Sequence, residues 1–267
     1  EVAYCGGINV LDDWHDPSYG LLAAPRLDFS VRVTGAIAND VQQTTQALWE
    51  RLSQGKPSAV KRVKTAIETL PQVLKRSHWH IHAHTGQVLA ELVLRDNITN
   101  RRQIERAYLK AIGDARIDII IANAYFVPGA KLRRAFIMAA KRGLKVQLLL
   151  QGKYEYYMQY HAGRPIYTPL LAAGIEIYEY DKSYLHARVA VIDSLWATVG
   201  SSNLDPLSLL LAREANIVVQ DAVFAQSLRL RLQLAMVDEG KRVDAAQIAN
   251  RPWTQRINEM LAFAIMR

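Results

Sequence analysis

The chain has 267 residues, 50% of them hydrophobic and 22% charged, which is enough to bury a full core and unlike a disordered segment. Lys and Arg number 33 against 25 Asp and Glu, leaving a formal charge of +8 that suits polyanionic partners, either nucleic acid or an anionic membrane surface. The single cysteine, Cys5, excludes an internal disulfide framework, and no apolar run reaches the roughly 18 residues of a spanning helix.

The amino-terminal stretch reads as the end of one structural unit. Gly6-Gly7-Ile8-Asn9 has the form of Gly200-Ser201-Ser202-Asn203, and residues 28–33, opening on Asp28, have the form of residues 214–219, opening on Glu214. A helix over about residues 36–52 follows the first copy as another follows Asp221, so the chain carries an internal repeat. Residues 53–86 are weakly patterned and rich in Lys and Arg, as a linker would be. Within them His78, His80, His82 and His84 alternate, and on a strand all four imidazoles share one face. A His-x-His pair can ligate zinc, but no carboxylate or cysteine lies near, so the expectation is a solvated loop without metal.

From residue 87 strands and helices alternate. Strands are expected over residues 87–94, 117–122, 144–150, 175–180 and 214–220. A helix capped by Asn97 or Thr99 runs to Asp114, with Ile104, Tyr108 and Ile112 at helical spacing. Leu132, Ala135, Phe136 and Ala139 form the stripe of a second helix ended by Gly143, and residues 165–173 form a short third one ended by Gly174. Lys131, Arg133, Arg134, Lys141 and Arg142 decorate the second helix as a solvated face or a contact for lipid headgroups. Tyr154, Tyr156, Tyr157, Tyr160 and Tyr167, with Lys153, His161 and Arg164, are expected in a loop that lines a substrate entrance or covers an edge of the core. The carboxyl end, with Trp253, Ile257, Met260, Leu261, Phe263 and Ile265, is amphipathic, and either lies in a membrane interface or packs on the domain. The alternation predicts an α/β class with helices packed on a sheet.

The most informative stretch is His186-Ala187-Arg188, then Asp193, then Gly200-Ser201-Ser202-Asn203. His186 and Arg188, two residues apart on a strand, share a face. A two-residue turn at Asp193-Ser194 would pair Ile192 with Leu195, Arg188 with Val199 and His186 with Ser201. Cross-strand partners share a face, so His186, Arg188, Ser201 and Asn203 would all point the same way. An imidazole, a fixed cation, a hydroxyl and a carboxamide at one spot suit a phosphate group.

The spacing H-x-R-x4-D-x6-G-S-x-N resembles the phospholipase D superfamily signature H-x-K-x4-D-x6-G-S-x-N, with Arg188 where the family has lysine. Glu214 opens the next strand, where the family keeps the carboxylate that holds its catalytic histidine. Three runs resemble bacterial cardiolipin synthases, within them the B type: IIIANAYFVP at residues 119–128, AAKRGLKV at 139–146 and WATVGSSNLDPLS at 196–208.

The resemblance implies a phospholipase D-like α/β fold of two pseudo-twofold-related mixed-sheet units flanked by helices. Residues 1–86 would be the remainder of an incomplete first unit plus the basic linker, and residues 87–267 the second unit with its amphipathic carboxyl end. It also implies transfer of a phosphatidyl group between phosphatidylglycerol molecules through a phosphohistidine, without metal or organic cofactor. His186 would then be one of two catalytic histidines, and Arg188 would bind phosphate oxygens. Ser201 and Asn203, with Asn9 from the first copy, would complete the oxyanion contacts, and Glu214 would orient His186. Asp193 belongs to the signature but, at the predicted turn, has a structural role. The implied partner is phosphatidylglycerol at an anionic membrane surface, peripheral on the cytoplasmic face of a bacterial inner membrane. A homodimer is an open alternative, and nucleic acid is not the expected partner. The same signature also serves nucleases and other phosphodiesterases, and an inactive fragment that binds anionic lipid is a third reading. Counting the motif spacing back from Gly6 puts the first histidine, cation and aspartate before residue 1, leaving Gly7, Asn9 and Asp28 of the first half-site. The 267 residues alone are therefore expected to have little or no transfer activity.

Overall fold

The computed structural model describes residues 1–9, 12–16, 19–53, 88–96, 100–154 and 156–266. The histidine run at residues 78–84, most of the basic linker and the expected cap at Asn97 or Thr99 lie outside the described residues. The chain opens with β1 (Val2–Gly6), β2 (His15–Asp16), β3 (Gly20–Leu21), β4 (Ser30–Thr34) and α1 (Ala36–Ser53). Then come β5 (Leu89–Arg95), α2 (Gln103–Asp114), β6 (Asp118–Asn123), α3 (Ala130–Lys141), β7 (Lys145–Gln151), α4 (Tyr157–Ala172) and β8 (Glu176–Tyr180). The last part holds β9 (Arg188–Ile192), β10 (Trp196–Gly200), α5 (Pro206–Leu210), β11 (Glu214–Gln220), α6 (Ala222–Asp238), β12 (Gly240–Arg242), α7 (Ala245–Ala249) and α8 (Trp253–Met266).

Eight strands form one mixed sheet in the order β12-β8-β7-β6-β9-β10-β11-β5. β6, β7 and β8 are parallel, and β9, β10, β11 and β5 continue antiparallel from β6. Every residue of β6 is buried, as a nearly continuous apolar strand requires when both faces of a sheet are covered. Ile119, Ile121, Leu148, Ile177 and Ala190 pack beneath α2, α3 and α4 through Ile104, Tyr108, Leu132, Phe136 and Ile166. Ile120, Ala122, Val189, Val199 and Ile217 face the other way, toward Leu228 and Leu232 of α6 and Val31, Val33 and Ala38 of the amino-terminal part. The expected α/β architecture is present, a large mixed sheet flanked by helices.

The β9–β10 hairpin differs from its expected register by one residue. Ile192 pairs with Trp196, and Val189 with Val199; Leu195 joins the turn and its N–H donates to the Ile192 carbonyl at 3.1 Å. Asp193 and Ser194 both have positive φ, 55° and 52°. The Asp193 carboxylate explains the longer loop. It accepts from the backbone N–H groups of Arg116 and Ile117, each at 2.8 Å, and of Asp118 at 3.0 Å, pinning the hairpin to the start of β6. Asp193→Ala strands these donors and puts a Cβ-bearing residue without local compensation at positive φ. It is expected to cost about 2 kcal/mol, a fall in melting temperature of roughly 4–8 °C that thermal unfolding would measure.

One other expectation changes. Helix α4 starts at Tyr157, eight residues before Pro165, so most of the tyrosine-rich segment is helix and not loop. Pro165 removes one helical hydrogen bond, but burial of Ala162, Ile166, Tyr167 and Leu170 along one face outweighs that loss. Arg142 is exposed, as a solvated face requires, while its guanidinium also donates to the carbonyls of Ile112 and Ala115 at the end of α2. The carboxyl end packs on the domain: α8 lies along α4, burying Glu259 and Ala262, while Trp253, Met260, Leu261 and Ile265 stay exposed.

The amino-terminal strands repeat the geometry of the motif strands. β1 pairs with β4 so that Gly6 lies opposite Ser30, as Gly200 of β10 lies opposite Asn216 of β11. A Cβ on Gly6 would come within 2.4 Å of the Phe29 carbonyl oxygen, and one on Gly200 within 2.6 Å of that of Ala215. Only glycine tolerates either approach. Asp28 and Glu214 each stand two residues before the glycine's partner, and α1 and α6 follow.

Candidate active site

The site lies where residues far apart in sequence are zipped together. Leu27 donates its N–H to the Tyr184 carbonyl, and its own carbonyl accepts from His186 N–H, both at 2.9 Å. Asp28 is thereby placed beside the imidazole, with Oδ2 2.7 Å from His186 Nδ1, and both side chains are only 11% exposed. On the other side, Arg188 pairs with Asn123 at the carboxyl end of β6. There the strand order reverses, with β7 and β8 to one side of β6 and β9 to the other, and open α/β sheets bind ligands at such a switch point.

An ionised carboxylate can only accept, so Asp28 requires the hydrogen on His186 Nδ1 and leaves Nε2 with its lone pair. The Arg188 guanidinium lies against the ring. Its Nη2 is 2.8 Å from Nε2, its Nη1 donates to the His186 carbonyl at 2.9 Å, and Nε is buried without a partner. In that tautomer Nε2 keeps its lone pair, and the Arg188 cation lies at that atom. Gly7 makes room for it, since a Cβ there would sit 2.5 Å from Arg188 Nη1 and 3.1 Å from Asp28 Oδ1. Burial pulls the guanidinium below its ordinary pKa, and the nearby charges of Asp28 and Glu214 oppose that shift.

Glu214 is a correction. The carboxylate beside His186 is not Glu214 but Asp28, from the segment just before β4. Glu214 accepts instead from the Ser201 hydroxyl. Its burial raises the carboxyl above its ordinary pKa, against the pull of Ser201 and Arg188. Ser201 and Asn203 are corrected too. With Val189 opposite Val199, Arg188 falls opposite Gly200, and a one-residue slip reverses the faces of a strand. Ser201 is therefore linked to the cluster through Glu214, not by facing His186. Asn203 is buried, its side-chain oxygen without a partner. Asn9 is exposed and, among the described residues, makes no hydrogen bond to His186 or Arg188. Asp193 sits at the far end of β9, in the structural role already described.

Sequence reasoning did not assign Asp28 to His186, nor Gly7 to Arg188, although the repeat marked both as counterparts of motif residues. Asn123 carried no signal at all. Its side chain is wholly buried, accepts from Leu204 N–H at 3.2 Å and so ties the segment after Asn203 to β6.

Residues 108–233 match the family profile described as cardiolipin synthase, PLD-like domain. The whole chain is 38% identical over 273 aligned residues to cardiolipin synthase B of Salmonella typhi and 36% identical to that of Escherichia coli K12, covering 60% of each. The chain thus spans about 60% of the length of these curated relatives. A solved phosphatidylserine synthase from Haemophilus influenzae superimposes with a TM-score of 0.63 over 90% of this chain and 64% of its own, at 11% identity, a likeness of fold alone. Residues 108–233, which include His186, Arg188 and Glu214, are thus similar to a phospholipase D-like domain of the cardiolipin synthase kind.

Proposed function

We propose that this chain supplies one catalytic half-site of a phosphatidyl transferase that makes cardiolipin from phosphatidylglycerol at an anionic membrane surface. The observation that carries the reading is Asp28–His186–Arg188, an imidazole held between a carboxylate at Nδ1 and a cation at Nε2. The 36–38% identity to cardiolipin synthase B across every residue supports the choice of substrate.

Two imidazoles share the work, His186 and one from a matching motif. One attacks the donor phosphorus, forming a P–N bond as the P–O bond to glycerol breaks; the other gives glycerol its proton. The hydroxyl of a second phosphatidylglycerol then forms a P–O bond, the P–N bond breaks, and the hydroxyl proton returns to the second imidazole. Arg188 stabilises charge on the phosphoryl oxygens. Residues 1–53 are read as the end of a first unit. Because Asp28 serves the histidine of the second unit, its counterpart Glu214 is the carboxylate for a histidine of the first. No described helix is long and apolar enough to cross a membrane, and the +8 charge favours surface attachment that weakens as salt rises.

Arg188→Ala is expected to lower transfer by roughly 10²–10³-fold, the scale of losing a phosphoryl-oxygen donor. Arg188→Lys is expected to stay within about tenfold of wild type or exceed it, because a compact ammonium keeps the charge and uncovers Nε2. Steady-state assays on phosphatidylglycerol vesicles check both. The reading itself is tested by assaying lipid turnover and DNA cleavage side by side, for these 267 residues and for the protein extended to the length of its relatives. The extended form should produce cardiolipin and glycerol in equal amounts, and the 267 residues little or none. DNA cleavage without lipid turnover would assign the site to a nuclease.

A further inference from the structure

A pocket at the carboxyl ends of β6 and β7 adjoins the His186–Arg188 pair. Tyr125, Gln151, Lys153, Tyr156, Gly163 and Tyr167 are among its lining residues. Two backbone links join it to the site: Ala124 N–H donates to the Ala187 carbonyl at 3.0 Å, and Gln151 Oε1 accepts from Leu185 N–H at 3.2 Å. The other end of the same side chain, Gln151 Nε2, is buried without a hydrogen-bond partner. A buried amide donor left unmade is costly, so the pocket presents a donor that calls for an oxygen.

Size and charge narrow what that oxygen belongs to. The cavity volume is about 30 Å³. About 10–15 Å³ suffices for one water-sized group, so there is room for a methylene and a hydroxyl and none for an acyl chain. Arg164, which also lines the pocket, is ion-paired to Glu179 at 2.6 Å and stacked beneath Tyr160 and Tyr167. Its charge is committed, and the inner wall suits a neutral group. Lys153, also lining, donates to the Lys182 carbonyl at 3.2 Å from an exposed position and keeps further N–H donors for an anion outside.

We infer that this pocket receives the hydroxymethyl end of the acceptor alcohol, with Gln151 Nε2 donating to its oxygen and Lys153 facing an acidic phosphodiester at its other end. The inference rests on the phosphatidyl-transfer reading. Gln151 is then specificity-determining, and the pocket sets the competition between alcohol and water for the transferred group.

The test uses the full-length protein on phosphatidylglycerol vesicles, measuring cardiolipin against phosphatidic acid, the product when water is the acceptor. Gly163→Ala narrows the pocket. A Cβ there meets only the Phe126 carbonyl oxygen within 4 Å, at 3.4 Å, and alanine strengthens a helix relative to glycine, so the fold tolerates it. Gln151→Glu keeps an acceptor for Leu185 N–H and removes the donor. Each variant is expected to lower the ratio of cardiolipin to phosphatidic acid about tenfold, the scale of one lost hydrogen bond in a buried site. An unchanged ratio in both, or parallel loss of both products, overturns the pocket assignment alone. A wild-type protein that turns over no lipid overturns the transferase reading and the pocket with it.

Discussion

Asp28→Asn in the full-length protein is expected to lower phosphatidyl transfer by roughly 10³–10⁴-fold while the fold is retained. The side chain keeps its size, but its amide would donate to His186 Nδ1 where the carboxylate, 2.7 Å away, accepts. Donation there moves the ring hydrogen to Nε2 and removes the lone pair that attacks. The same exchange in the Ser-His-Asp triad costs about 10⁴ through the wrong tautomer. Rates on phosphatidylglycerol vesicles, with circular dichroism as the folding control, measure it. Near-normal turnover would mean that Asp28 packs against His186 without orienting it.

His186→Ala is expected to abolish transfer. General acid–base assistance alone is worth about 10²–10⁴-fold, and a lost covalent route adds to that. The loss should be specific, because alanine leaves the backbone bond from His186 N–H to Leu27 in place and only a small, 9%-exposed residue surface changes. A folded His186→Ala protein that still makes cardiolipin would remove His186 from the reaction.

The parts of the fold that could be read in the sequence are those set by local pattern. β11 begins and ends where the apolar run from Glu214 to Gln220 does, and α2 and α3 follow their stripes, because side-chain periodicity and burial ask for the same thing there. The β9–β10 register was not legible. It depends on three backbone N–H groups around residue 117 reaching the Asp193 carboxylate, a contact some 75 residues distant that no local pattern encodes. The start of α4 was missed for a related reason: a proline is a local signal for a helix start, and the burial that overrides it is tertiary. Within the site, His186 and Arg188 stood out because alternation along an expected strand would put them on one face, although β9 itself begins only at Arg188. Asp28 was visible only as a repeat counterpart of Glu214. That it reaches His186 follows from the zipper of Leu27 onto residues 184–186, which is a fact of packing.

The central claim is that two segments 158 residues apart build one half-site in which Asp28 holds His186 ready to attack. Nitrogen-15 chemical shifts of the His186 ring, recorded on these 267 residues with neutral imidazole and compared with Asp28→Asn, test it most directly. The account predicts a protonated Nδ1 and a bare Nε2 in the wild-type chain, reversed in the variant. A wild-type ring with its hydrogen on Nε2, or a tautomer indifferent to the change at Asp28, would contradict it.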